Sequence, residues 1–329
     1  MRKVRYRIAL PALLALSALT GPFVGAPCLN PVEVFTPGHA AHELFWHWRV
    51  PRALLAFWTG GGLAVCGLCF QSLLRNPLAT PYTLGVASGA ALGASACVAL
   101  GTALPGIVPG GTLAGALAGG LAAMGVVYLL TRLKGGFSLP VILLAGVACN
   151  LFFSSLITYI QYTSHANDAL RILHWLMGSL TSADTTLVPQ LALWLGVGVL
   201  LLYRLHPELD LLATGEEMAA SRGVDVRGVQ RRVFFLASLM VGAVVAVTGP
   251  IGFVGMMAPH MCRLWLGFAH RQLLPWSFGL GGCFLVVCDA LSRTLLAPAE
   301  VPIGIVTALL GGPFFLWLLM QSARSRTLF

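Results

Sequence analysis

Apolar residues run along the chain in blocks of membrane-spanning length, separated by short polar connectors. The blocks cover residues 8–26, 53–73, 83–103, 107–131, 138–160, 187–204, 233–252, 256–268, 272–292 and 303–321. A helix needs roughly 17–25 apolar residues to cross a hydrocarbon core. The eighth block holds 13 and is expected to be half-buried or strongly tilted. The pattern predicts an all-α, polytopic membrane protein of about ten transmembrane helices, forming one transmembrane domain over residues 1–329. No connector is long enough for a separate domain; the longest cytoplasmic one covers 205–232, and the longest outer ones 27–52 and 161–186.

Composition agrees. Hydrophobic residues make up 57% of the 329 and charged ones 9%, against about 25% charged in a soluble domain. Lipid is therefore the solvent for most of the chain. The net charge of +9 reads as membrane topology rather than nucleic-acid binding. The eight cysteines are scattered, mostly within apolar blocks, as packing residues rather than a disulfide scaffold. Residues 1–27 resemble a signal peptide, but the run from Ile8 to Ala26 is long for one and further spans follow, so a retained first helix is expected.

Ten spans place both termini on one side. With the N-terminus in the cytoplasm, the inner segments hold Arg2, Lys3, Arg5, Arg7, Arg75, Arg132, Lys134, Arg204, Arg222, Arg227, Arg231, Arg232, Arg263, Arg271, Arg324 and Arg326. The outer segments hold only Arg49, Arg52, Arg171 and Arg293, so 16 of the 20 basic residues lie inside. This is the positive-inside bias. Gly85, Gly89 and Gly93 on one span, and Gly111, Gly115 and Gly119 on the next, recur every four residues. That spacing lets helix backbones approach closely in lipid, within the subunit or between subunits.

Candidate chemistry is sparse. No G-x-x-x-x-G-K-[ST] phosphate loop is present, so any ATP hydrolysis falls to a separate subunit; G-x-S-x-G and H-E-x-x-H are also absent. Cys66 and Cys69 form a C-x-x-C at lipid depth, where packing is the natural role. His39, His42 and His47 lie with Glu43 in an outer loop; they offer metal or haem contacts, or simply a solvated surface. Asp289 and Arg293, four apart near the outer end of the ninth span, suit an ion pair or a role in the pathway or in partner docking. Arg49 and Arg52 share a helix face at the outer boundary, as interfacial anchors or as receivers of carboxylates. The inner loop Gly215-Glu216-Glu217-Met218-Ala219-Ala220-Ser221-Arg222-Gly223 predicts a short surface helix bounded by glycines, suited to docking a cytoplasmic partner.

An ordered series of landmarks runs from about residue 47 to 321. It comprises Arg49-Val50-Pro51-Arg52, Gln71 with Arg75-Asn76-Pro77-Leu78-Ala79, Leu84-Gly85-Val86-Ala87-Ser88-Gly89-Ala90, Leu143-Leu144-Ala145-Gly146-Val147 and Trp175-Leu176-Met177-Gly178-Ser179. The inner loop follows, then Gly252-Phe253-Val254-Gly255, Pro259-His260, Asp289 with Arg293, and Glu300-Val301-Pro302-Ile303-Gly304-Ile305-Val306-Thr307. In this order they resemble the FecCD-type permeases of bacterial ABC importers, which move iron–siderophores, haem and cobalamin.

The resemblance implies a multi-pass permease of the bacterial inner membrane, with ABC type II importer architecture. It would work as a dimer, a homodimer by expectation. Two copies would line a central path along their second, fifth and neighbouring spans. Two cytoplasmic ATPase subunits would carry ATP and Mg, and a periplasmic binding protein would deliver substrate. No cofactor, metal or nucleic acid is expected on this chain itself. The family's coupling segment carries over to Gly215, Glu216, Ala219 and Gly223. Its docking arginines carry over to Arg49, Arg52 and Arg293, and its further motif positions to Gln71, Asn76, Pro77, Pro259, Asp289, Glu300, Pro302 and Gly304. One place departs: the family commonly has Leu before the loop glycine, where Arg222 stands here, leaving docking detail there open. An iron chelate, siderophore or haem, is the expected cargo; the outer histidines favour haem, and cobalamin is the alternative. An ion-coupled secondary transporter is the competing class, disfavoured by spans nearly free of charge.

Overall fold

The computed structural model describes residues 20–25, 29–103, 111–133 and 139–324. Short helical turns at Gly21–Phe23, Pro31–Val34, Ala40–Glu43 and Leu44–Arg49 lead into α1, Val50–Leu74. Then come α2 (Val86–Ala103), α3 (Gly111–Leu133), α4 (Leu139–Thr163), α5 (Ala166–Leu176) and α6 (Leu187–Arg204). The chain continues through α7 (His206–Thr214), α8 (Glu216–Ser221), α9 (Val226–Thr248), α10 (Val254–Leu266), α11 (His270–Thr294) and α12 (Ile303–Arg324). The described residues form no strand; one isolated bridge joins Leu296 and Ala299.

Among the described residues, six helical stretches are long and apolar enough to cross a membrane: Ala40–Leu74, Gly111–Leu133, Pro140–Thr163, Leu187–Arg204, Val226–Thr248 and His270–Thr294. Val86–Gly101 and Ile303–Leu318 are shorter apolar helices. The expected ten crossings are therefore met only in part. Block 8–26 lies largely outside the described residues. Block 256–268 forms α10, whose 13 residues extend only about 20 Å. The helix α9 begins seven residues before its apolar block, because Asp225 caps it by accepting from the Gly228 N–H at 3.0 Å. It stops at Gly249, whose φ of +68° ends the helix. The amphipathic α5 and the paired α7 and α8 lie where connectors were expected; only α8 was foreshadowed in the sequence.

The helix α1 is the hub. It packs against α6, α9, α10 and α11 and is buried almost continuously from Leu55 to Leu73. This corrects the expectation that the second span lines a path between subunits: its faces are spent inside one subunit. Such burial demands backbone contact. A Cβ on Gly60 would strike the Gly281 carbonyl of α11, and one on Gly67 the Gly255 carbonyl of α10. The predicted small-residue stripes interlock the same way, with Gly89 and Gly93 of α2 against Gly115 and Gly119 of α3. Their role is packing within the subunit. Gly111 meets nothing within 4 Å, and Gly85 sits against Gly146 and Cys149 of α4.

Two stretches that depart from α-helix, residues 76–85 (with one 3-10 turn at Pro81–Leu84) and 249–253, run among these helices. Backbone removed from both water and helix needs partners. The Tyr82 hydroxyl donates to the Ile251 carbonyl (2.6 Å) and accepts from the Ile251 N–H (2.8 Å), joining the two stretches. The Ser179 N–H donates to the Thr248 carbonyl (2.7 Å), and the Gly304 N–H to the Met177 carbonyl (3.0 Å). A Cβ on Gly304 would also strike that carbonyl, and one on Gly249 the Trp175 carbonyl. The Met177-Gly178-Ser179 and Pro302-Ile303-Gly304 landmarks thus mark a backbone crossing. At Phe253 (φ +67°) the Val254 N–H turns back onto the Gly252 carbonyl at 2.8 Å, a rare strained γ-turn that starts α10.

Replacing Gly119 by Leu forces α2 and α3 apart and is expected to cost about 1–3 kcal/mol or more, lowering the melting temperature of the detergent-solubilised protein. Gly125→Leu, on the same helix with nothing within 4 Å, is expected to leave it unchanged.

Candidate functional site

The described charges gather at the two ends of the bundle. At the end where α1 begins, Asp289 of α11 is buried between two arginines. Arg52 Nε lies 2.7 Å from its Oδ1, and Arg293 Nε 3.1 Å from its Oδ2. Glu300, at the approach to α12, takes the other side of Arg52 with Nη1 at 2.8 Å, and is 43% exposed. Arg49 reaches the Pro22 and Phe23 carbonyls (3.4 and 3.3 Å), and Arg293 Nη2 reaches the Gly21 carbonyl (3.1 Å). All three arginines, with Trp48, Thr181, Pro298 and Glu300, line a cavity of about 590 Å³. On a nearby loop, Asp184 is held below the usual carboxylate range by the Thr186 hydroxyl (2.7 Å) and the Thr185 N–H (2.6 Å).

The sequence singled out these residues but only half of their arrangement. The Asp289–Arg293 pair is present. Arg49 and Arg52, expected to share a helix face as interfacial anchors or receivers of carboxylates, are both engaged within the subunit, and Arg49 and Arg293 are 5% and 9% exposed. Burial of charge explains this: a guanidinium at a membrane boundary is stable where carboxylates and carbonyls surround it. The signal was available, since Arg52, Asp289 and Glu300 sit at neighbouring span ends with opposite signs. The outer histidines do not converge. His42 bonds the Val34 carbonyl at 2.8 Å, and no group of three or more His, Cys, Asp or Glu among the described residues is placed to hold a metal.

At the opposite end, α8 is framed by Gly215 (φ +136°) and Gly223 (φ +84°). Glu216 accepts from Gln230 of α9 at 3.1 Å and lies 3.9 Å from Arg75, which terminates α1. Ala219 is fully buried beneath α8, while Glu217, Met218 and Arg222 are exposed. The helix thus rests on the bundle through a small residue and turns larger side chains outward. An open cavity of about 690 Å³ lies along it, between Arg75, Thr214 and Ser221.

The remaining motif residues explain one another. Pro259 lies inside α10 without an N–H, so the Gly255 carbonyl loses its helical partner. Gln71 Nε2 donates to that carbonyl at 3.4 Å, and its Oε1 accepts from Arg263. Asn76 accepts from the Leu78 N–H at 2.9 Å, closing a turn in which Pro77 needs no donor, directly after Arg75 at φ +48°. Pro302 starts α12, its carbonyl accepting from the Ile305 N–H at 3.0 Å. Cys66 and Cys69 are buried and not paired with each other, and Cys66 Sγ lies 3.6 Å from the Ala237 carbonyl of α9.

A long face of α4 is uncovered. Leu144 and Tyr162 are 72% and 89% exposed, and Asn150, Ser154, Ser155, Thr158 and Tyr159 lie open between them. Polar side chains on a spanning helix face protein or water rather than lipid.

Residues 12–321 match the FecCD transport family. The chain is 38% identical over 320 residues to the hemin transport system permease protein HmuU of Yersinia pestis, covering 96% of this chain and 95% of that one. It is 36% identical over 324 residues to the vitamin B12 import system permease protein BtuC of Salmonella newport, covering 98% and 97%. A solved structure, an inward-facing conformation of a transporter assigned to the metal-chelate type of ABC transporter, superposes with a TM-score of 0.84 at 30% identity, over 95% of this chain and 98% of the other.

Asp289→Asn leaves the buried Arg293 without its carboxylate and Arg52 with Glu300 alone, and is expected to destabilise the protein by about 3–5 kcal/mol, measured by thermal unfolding. Ser182→Ala, an exposed hydroxyl on the Val247 carbonyl, is expected to change it by less than about 1 kcal/mol.

Proposed function

The chain belongs to the FecCD transport family, and from that membership we propose that it is the permease of a binding-protein-dependent ABC importer for an iron chelate. Siderophore or haem is the cargo of first choice; the 38% identical hemin permease supports haem. The 36% identical vitamin B12 permease gives cobalamin as the second reading. The protein sits in a bacterial inner membrane with both termini in the cytoplasm, as the 16-to-4 split of basic residues supports.

The observation that carries the mechanism is the open, polar-studded face of α4. A second copy of the chain covers part of that face, and the rest lines a watered path between the copies. Two ATPase subunits hold ATP and Mg on the cytoplasmic side. They dock on α8 and its glycine frame, Gly215 and Gly223, with Glu216 and Ala219 seating the helix on the bundle. Closure of those subunits on ATP moves α8 and switches the path between outward and inward access. This chain performs no covalent step in that cycle.

A periplasmic binding protein docks at the other end. Glu300 is the exposed partner of Arg52 and stands where a carboxylate of the incoming protein would bind. Docking is then an exchange of one carboxylate for another, with Arg49 and Arg293 holding the site from beneath. Glu300→Gln is expected to tighten binding of the loaded binding protein, and Arg52→Glu to weaken it by about tenfold or more, with membrane insertion intact in both. Surface plasmon resonance on nanodisc-embedded complexes reads both; unchanged affinity in both variants sinks the exchange. The function itself is tested by reconstituting permease, ATPase and binding protein in proteoliposomes with hemin, a ferric siderophore or cyanocobalamin. ATP-dependent, vanadate-sensitive uptake of an iron chelate is expected. Uptake driven by an ion gradient without ATP would overturn the reading.

A further inference from the structure

His270, the first residue of α11, is buried together with Ser72 of α1. Its Nδ1 lies 2.6 Å from Asp210 Oδ1 on α7, and its backbone N–H donates to the same oxygen at 2.8 Å. Its Nε2 meets Ser72 Oγ, whose hydroxyl also reaches the Leu68 carbonyl at 2.9 Å. A carboxylate only accepts, so Nδ1 carries the proton and Nε2 faces the hydroxyl. Carboxylate, imidazole and hydroxyl stand in the order of a hydrolase triad. However, Ser72 and His270 are only 5% and 2% exposed, which leaves no approach for a substrate.

The arrangement joins three helices through one side chain. The residue before α11, Ala269, has no side chain to cap it, so Asp210 caps α11 from a different helix. The same imidazole then reaches α1 within its last turn. The helix α7 is the first half of the cytoplasmic loop and leads through Gly215 directly into α8. The other polar tie between loop and α1, Glu216 to Arg75, spans 3.9 Å between side chains nearly half exposed, so water and salt weaken it. Above the buried tie, α1 and α11 are locked together. Gly60 faces Gly281 and Gly282 faces Phe57 in backbone contact, and Arg52 holds Asp289 at the far end. A displacement of α7 therefore cannot be absorbed by sliding α1 past α11.

We propose that Asp210, His270 and Ser72 are positioning residues that transmit movement of the cytoplasmic loop to the α1–α11 pair, and through it to the charged site around Arg52. This rests on the ABC importer reading. It adds the route by which ATP-driven motion at α8 crosses the membrane.

Two isosteric variants divide the relay. His270→Asn places an amide near Nδ1 and loses Ser72; His270→Gln places one near Nε2 and loses the side-chain bond to Asp210, keeping only the backbone one. Each is assembled with ATPase and binding protein in proteoliposomes and supplied with whichever of hemin, ferric dicitrate or cyanocobalamin the wild-type complex carries. ATP hydrolysis, uptake and melting temperature are measured together. Both variants are expected to assemble and hydrolyse ATP while molecules imported per ATP fall by about tenfold. An unchanged ratio in both would overturn the relay. So would parallel loss of hydrolysis and uptake with a lowered melting temperature, the mark of a purely structural tie. If neither variant assembles, Asp210→Ala, whose native side chain is 38% exposed, carries the same expectation and the same two contrary results. A wild-type complex that carries none of the three compounds with ATP would reject the importer reading, and the relay with it.

Discussion

A chain dissolved in hydrocarbon must satisfy its backbone from within, and this fold departs from regular helix where it can meet that demand. The stretch 249–253 is non-helical, yet both backbone groups of Ile251 meet the Tyr82 hydroxyl, and the carbonyls of Thr248 and Gly255 at its two ends meet the Ser179 N–H and the Gln71 amide. Close approach is the second half of the same constraint. Lipid gives helices little hydrophobic reason to associate, so α1, α2, α3, α10 and α11 come together through glycines that let carbonyls touch Cα atoms. A central helix with its faces occupied follows, and with it a subunit whose uncovered surface falls elsewhere, on helices such as α3, α4 and α6.

Much of this was legible in the apolar pattern, because a membrane imposes a minimum length on every crossing. The predicted blocks 187–204 and 303–321 differ from α6 and α12 by three residues or fewer at either end. The pattern failed where polarity and helicity part company. The first turns of α9 carry Arg227, Arg231 and Arg232 and are helical all the same, because Asp225 rather than apolarity sets the start. The amphipathic α5 was invisible to a reading based on continuous hydrophobicity.

The charged residues were legible one at a time, not as a set. Arg49, Arg52, Asp289, Arg293 and Glu300 were all noticed, but sequence distance hid that Arg52 and Asp289 meet across 237 positions. Partners so far apart carry no local signature; only the rule that buried charges need counter-charges points to them. The same rule turns the site from a set of free cations into a closed network with one exposed carboxylate. The tie from Asp210 through His270 to Ser72 was likewise unreadable, since none of the three belongs to a recognisable spacing.

The bundle then has a simple mechanical layout. The charged end around Arg52 and the end that carries α8 are joined by α1 and α11, which touch through glycines, while α4 presents its open face to whatever lies beside the subunit. The central claim is that this face of α4 borders a path between two copies of the chain. The most direct measurement is the distance between spin labels placed at Tyr159 of both copies in the assembled complex, without nucleotide and with ATP trapped. The account predicts one short inter-copy distance that changes between the two states. A single unchanged distance, or no inter-copy coupling at all, would contradict it.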